Sequence, residues 1–136
     1  VSSALYLIDT SGLFRVLQSE LRKAWSDQLV AGVIAMCPIV ELEFLYSSRS
    51  LADRLEKQQL LRDLFGWVPM PDRAYERADE VQQLLTEAGM HRSAGPVDLL
   101  IAATAERERL TVLCDDRDFK TIARITGQPV KLVADI

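Results

Sequence analysis

Hydrophobic residues fall into short continuous runs separated by longer stretches of helical spacing. The runs are Leu5-Tyr6-Leu7-Ile8, Val33-Ile34-Ala35-Met36-Cys37, Leu110-Thr111-Val112-Leu113-Cys114 and Val130-Lys131-Leu132-Val133. Runs this short, bounded by polar or turn residues, read as strands buried on both faces. Trp67-Val68-Pro69-Met70 contains a proline, which confines it to a sheet edge, and Trp67 is expected to pack into the core. Apolar positions 13, 14, 16, 17 and 21 predict a helix that Thr10 or Ser11 could cap. A second helix is predicted to about Leu29, with Trp25 and Leu29 on one face and Gly32 ending it. Pro38 suits the first turn of a helix over 39–46. Further helices are predicted over 51–65, 73–88, 99–105 and around Ile122 to Ile125, the third apolar nearly all round and therefore buried. Alternating strands and helices predict an α/β fold, a central parallel sheet flanked by helices on both faces. No repeat or low-complexity tract interrupts it, so the expectation is a single domain over residues 1–136.

Composition changes this picture in four places. No apolar run approaches a membrane span, and the opening run is too short and lacks a basic leader for a signal peptide, so a cytoplasmic protein is expected. The two cysteines, Cys37 and Cys114, have neither disulfide-framework nor zinc spacing, and each follows an apolar run, so buried free thiols are expected. His91 is the only histidine and has no partner for a zinc site. The net charge of −4 argues against holding nucleic acid by the overall field, but clustered active-site carboxylates would lower the total in a nuclease.

The chemistry lies where the strands end. Leu5 to Ile8 runs into Asp9-Thr10-Ser11-Gly12, and Leu110 to Cys114 runs into Asp115-Asp116-Arg117-Asp118-Phe119. Glu41 falls in the first turn of the helix after the second strand, with Glu43 pointing away from it, and Asp98 opens the buried helix. In a parallel sheet all strand carboxyl ends share one rim, where ligands bind. Acids brought together there repel one another unless a cation compensates, and Mg²⁺ or Mn²⁺ are the hard cations that carboxylates suit.

In their order these residues resemble the motifs of the PIN domain. Ile8-Asp9-Thr10-Ser11, Val40-Glu41-Leu42, Gly95-Pro96-Val97-Asp98-Leu99-Leu100-Ile101-Ala102-Ala103 and Asp116-Arg117-Asp118-Phe119 are the segments, covering essentially the whole chain. More narrowly they resemble the VapC ribonuclease toxins of toxin–antitoxin pairs. The resemblance implies an acidic quartet of Asp9, Glu41, Asp98 and Asp116, with Asp118 as an accessory metal ligand and Thr10 or Ser11 holding a metal water or phosphate. Cys114 departs from the pattern, since many such toxins carry histidine there. Asp115 is an extra acid, and Phe119 sets the register in favour of Asp116. The implied activity is Mg²⁺- or Mn²⁺-dependent hydrolysis of RNA phosphodiester bonds. The implied partners are an RNA substrate, a cognate antitoxin and a second copy in a homodimer, and Arg15, Arg49, Arg92 and Arg117 are candidates for guiding the RNA backbone.

Two phosphate-transfer alternatives fit less well. An aspartyl-nucleophile phosphatase wants an acid where Ser11 stands, and a receiver-like module wants an acidic pair at the first strand. The remaining alternative is a PIN-like binding or scaffold protein without catalytic activity.

Overall fold

The computed structural model describes residues 4–136. Five strands, β1 (Tyr6–Ile8), β2 (Ile34–Met36), β3 (Gly66–Trp67), β4 (Thr111–Cys114) and β5 (Val130–Leu132), form one parallel sheet in the order β3-β2-β1-β4-β5. Register pairs Tyr6 with both Ile34 and Thr111, which puts β1 at the centre. The chain runs outward from β1 to β3 and then returns past β1 to β4 and β5. Because such crossovers are right-handed, reversing direction moves the connecting helices to the other face. Helices α1 (Thr10–Val16), α2 (Ser19–Ala24), α3 (Ser26–Ala31), α4 (Pro38–Leu45) and α5 (Leu51–Leu64) belong to the outward half. Helices α6 (Ala74–Glu87), α7 (Pro96–Glu108) and α8 (Asp118–Thr126) belong to the return and pack on one another. The expected α/β architecture, with a parallel sheet covered on both faces, is the one observed.

The core is continuous from one helical layer to the other. Leu7, Ile8, Ile34, Val112 and Leu113 of the sheet are fully buried, as are Leu13 and Val16 of α1. In α7, Leu99 and Ile101 through Ala105 are buried, matching the helix's apolar character. The thiols of Cys37 and Cys114 are buried and free. Among the described residues no helix is long and apolar enough to cross a membrane.

Several local features differ from the periodicity. The predicted helix over 13–21 is two helices, because Gln18 takes an extended backbone (ψ 139°) that ends α1. The next one is also split, at Trp25. Trp25 is fully buried, donates its indole Nε1–H to the Val133 carbonyl at 2.9 Å and meets Tyr6 edge-on at 5.5 Å. The predicted edge strand at 67–70 pairs only over Gly66 and Trp67, at the outer edge of the sheet. Trp67 is not in the core: it is half exposed and lies under the Arg62 guanidinium at 5.9 Å. Leu51 and Leu55 of α5 are also exposed, leaving Leu61 as that helix's one buried residue.

Helix α1 begins at Thr10, three residues before the first apolar position, so Gly12 lies inside it. A Cβ at Gly12 would stand 2.6 Å from the Leu113 carbonyl oxygen and 3.1 Å from the Cys114 Cα. Both are backbone atoms and cannot rotate away. Glycine is thus what lets α1 lie directly on the end of β4. Gly12→Ala is expected to destabilise the fold by about 1–3 kcal/mol, the usual cost of overpacking. Urea denaturation checks this, and an unchanged midpoint would contradict the close approach.

Candidate active site

Asp9 stands at the end of the central strand and is almost completely buried. Its backbone amide donates to the Leu113 carbonyl at 3.0 Å, extending the ladder by one step. Its carboxylate caps α1, accepting the Gly12 N–H at 2.7 Å and the Ser11 hydroxyl at 2.8 and 2.9 Å. Neither Thr10 nor Ser11 is the cap. Ser11 instead donates to Asp9 and accepts the Asp115 N–H at 3.1 Å, joining the ends of β1 and β4. Burial pushes the Asp9 carboxyl up to about 7, against the lowering effect of those hydrogen bonds, and negative charge on Asp116 and Asp98 adds to the rise.

The other acids arrive from three directions. Asp98 lies in the first turn of α7 and accepts the Gly95 N–H at 3.3 Å. Its carboxyl is also raised, mainly by burial and then by the charges of Asp116, Asp118 and Glu43. Asp116 follows β4 and accepts the Asp118 N–H at 3.0 Å. Asp118 opens α8, and burial and Asp116 both raise its carboxyl. Asp9, Asp98, Asp116, Asp118 and Glu43 therefore share one electrostatic neighbourhood at the carboxyl rim.

Glu41 does not belong to it. Its carboxylate is turned toward α5, 3.5 Å from the Arg62 guanidinium, beside Met36, Leu61, Phe65 and Trp67. The physical reason is helical phase. Residues two apart point to roughly opposite sides, and β2 lies between β1 and β3. Glu41 faces the β3 side and Glu43 the β1 side, where it accepts the Thr10 hydroxyl at 2.5 Å. Spacing alone locates the helix and its acids; which acid faces Thr10 and Asp98 depends on the strand order.

Asp115 is likewise turned away from the cluster. It is exposed and lies 3.8 Å from the Arg15 Nε. Arg92, in a 3₁₀ turn at His91–Ser93, and Arg117, just before α8, are exposed with no ion pair among the described residues. Arg49 uses only its backbone N–H, toward Asp53. The Cys114 thiol, pushed up to about 12 by burial and by Asp9 and Asp116, donates to the Asp116 carbonyl at 3.3 Å.

A cleft of about 630 Å³ lies elsewhere. It lies between the start of α6 and the second half of α7, and its wall pairs Arg77 with Glu106 through two bonds of 2.7 and 3.0 Å. Asp98 stands at the opposite end of α7, so size does not identify the chemistry here.

As placed, no three acidic or metal-ligating side chains among the described residues close around a single point. The donor set nevertheless fits a hard divalent cation. It consists of carboxylate oxygens with hydroxyls beside them, and Asp9, Asp98 and Asp118 are raised partly by one another's or Asp116's charge rather than lowered by a protein cation.

Comparison with known proteins agrees with this geometry. The model of the PIN domain family matches residues 6–125. Ribonuclease VapC21 of Mycobacterium tuberculosis is 40% identical over 128 residues, covering 94% of this chain and 93% of its own. Ribonuclease VapC2 of the same organism is 36% identical over 126 residues, covering 90% and 88%. Among solved structures, DNA-bound VapBC from Salmonella typhimurium superposes with a TM-score of 0.77 at 19% identity, covering 96% of this chain and 98% of its counterpart. VapBC2 from Rickettsia felis, bound to a promoter DNA fragment, gives 0.75 at 19% identity, covering 93% and 97%. A parallel sheet with acids gathered at the carboxyl end of its central strands, and relatives matched along nearly their whole length, place the chain in the PIN domain family, among the VapC ribonucleases.

Proposed function

We propose that the protein is a divalent-metal-dependent endoribonuclease, the toxin of a toxin–antitoxin pair. The observation that carries this is the set of acids at the rim, of which three are raised by burial and shared negative charge. The names of the relatives, ribonucleases and toxin–antitoxin complexes, support the substrate and the partner. PIN-domain ribonucleases are in general divalent-metal dependent. The metal-holding residues are Asp9, Asp98, Asp116 and Glu43, with Asp118 beside them and Glu43 in the place first expected for Glu41. When bound, Mg²⁺ or Mn²⁺ supplies Lewis acidity toward water and the phosphodiester oxygens.

The chain's own residues then do the positioning. Gly12 N–H and the Ser11 hydroxyl fix both Asp9 oxygens, leaving the rest of that carboxylate facing the rim. The Thr10 hydroxyl orients Glu43 on the side of β2. Asp116 holds the first turn of α8 through the Asp118 N–H, which keeps Asp116 and Asp118 side by side. Beside Glu43, Ile39, Leu42 and Tyr46 line a shallow groove, with Leu42 and Tyr46 exposed. Apolar side chains in the open next to the acids support a protein partner seated there, the antitoxin's place in this reading. The homodimer expected from the family is checked by light scattering on the purified chain.

The central experiment is cleavage of single-stranded RNA with Mg²⁺ or Mn²⁺. Asp98→Asn and Glu43→Gln are each expected to lower the rate at least about 100-fold. Glu41→Gln is expected to keep the wild-type rate within about threefold, since its partner is Arg62. Equal losses at positions 41 and 43 would overturn the assignment. Binding of RNA by wild type and both variants with cleavage by none would instead support the scaffold alternative.

Stability carries an independent signature. Asp9 is raised from 3.8 to about 7, so between those values the folded chain holds a proton that the unfolded chain has lost. That contribution to stability is complete below 3.8 and disappears as the pH rises through 7. Asp98 and Asp118, also raised, act in the same direction. Without metal, the melting temperature is expected to fall between about pH 5 and pH 8, and Asp9→Asn should flatten much of the fall. Mg²⁺ should reverse it, with a larger upward shift at about pH 8, where the acids are ionised, than at about pH 5. Differential scanning fluorimetry reads both, and a metal shift that is independent of pH would contradict binding at these acids.

A further inference from the structure

Resting on the ribonuclease reading, we propose that Arg15 contacts a backbone phosphate of the RNA at the edge of the acid pocket. A polyanion approaching five carboxylates needs positive charge in addition to any bound cation. Arg62 is held by Glu41 on the far side of α4. Arg92 and Arg117 are exposed and have no ion pair to fix them near the acids. Arg15 stands one helical turn from Ser11, which touches both the Asp9 carboxylate and the Asp115 amide.

Its placement follows from α1. Ser11 and Arg15 are four residues apart and share one helical face, and both meet the turn after β4. The Ser11 hydroxyl accepts the Asp115 N–H, and the Arg15 Nε lies 3.8 Å from the Asp115 carboxylate. That distance is too long for a hydrogen bond, and an ion pair of this length at two side chains about 40% exposed holds weakly. The Nε atom is sealed from solvent and has no hydrogen-bond partner among the described residues. An incoming group therefore meets the exposed remainder of the side chain, not Nε. A guanidinium, with its fork of donors, is matched to phosphate oxygens. Asp115 thus keeps Arg15 at the rim without satisfying it. A phosphate at the turn after β4 would receive hydrogen bonds from the exposed part of the guanidinium that Asp115 does not engage.

The test is anisotropy of a labelled single-stranded RNA binding to Asp98→Asn protein, in which cleavage is suppressed, over roughly 50–200 mM salt. Adding Arg15→Ala is expected to weaken binding about five- to tenfold and to reduce the slope of log K against log salt by about 0.7, one phosphate's share on a single strand. Arg15→Lys should retain most of the slope, because charge is kept while the fork is lost. Asp115→Asn should bind as tightly as the parent or more tightly. Melting temperatures verify that each variant is folded. An unchanged slope in Arg15→Ala, or a loss in Asp115→Asn equal to that in Arg15→Ala, would overturn the proposal, the second because it would mark a merely structural pair. If wild type cleaves RNA and Arg15→Ala is indistinguishable from it, only the phosphate contact fails. If wild type neither binds nor cleaves RNA, the ribonuclease reading fails and this contact with it.

Discussion

A carboxylate buried at the end of the central strand sets the terms for the rest of the structure. Asp9 is withdrawn from water, and a buried acid must find hydrogen bonds or a cation. The bonds come from its own sequence neighbours, Ser11 and Gly12, which is possible only because the chain turns into a helix immediately after β1. That turn brings α1 onto the end of β4, closely enough that position 12 has room for no side chain. The same contact lets Ser11 reach the Asp115 amide, so one short motif fixes Asp9 and locates the loop that carries Asp116. Strand order, helix start and glycine placement are consequences of one packing problem at the rim between β1 and β4, where the winding of the sheet reverses.

The acids on α4 show how strand order divides similar side chains between different tasks. Glu41 and Glu43 are separated by two residues and a large part of a helical turn. One meets Arg62 over the β3 side and ties α4 to α5, whereas the other meets Thr10 over the β1 side. A guanidinium neutralises the first. The second adds negative charge to Asp98. Chemically equivalent residues have become a structural ion pair and a member of the acid cluster, and the division is made by which strand lies next to β2.

Much of this was legible in the residues, and the limits have physical causes. The buried strands stood out because parallel strands are apolar on both faces, and Asp9, Asp98 and Asp116 stood out because each interrupts apolar sequence at a strand or helix end. The start of α1 was not legible, because its cap is an acid whose carboxylate faces inward rather than a hydroxyl, and its first turn contains no apolar residue. The breaks at Gln18 and Trp25 carry no proline or glycine; the one at Trp25 coincides with a tertiary demand, the indole's bond to the Val133 carbonyl far along the chain. Trp67 looked like core from its composition, but at an edge only two residues long its ring covers the surface beneath Arg62. Choosing between positions 41 and 43 required the order of the strands, which helical spacing does not contain.

Three of the acids also have an ordinary structural explanation, which can be weighed against the functional one. Asp9 caps α1, Asp98 occupies the first turn of α7 and accepts the Gly95 N–H, and Asp118 opens α8. Acids at helix N-termini are stabilised by free amides and by the helix dipole, so capping alone would hold all three below the ordinary carboxylate range. They lie above it instead. Burial is the leading cause at each, and the negative charge of Asp116 acts on all three. Helix starts are therefore the means by which the carboxylates are aimed, and the favourable interaction they supply is smaller than the cost of burying them beside one another's charge. A fold that needed only caps could use serine or asparagine at these places without that cost. Five acids share one rim where caps account for three, and the proposed divalent cation is what would offset the excess charge.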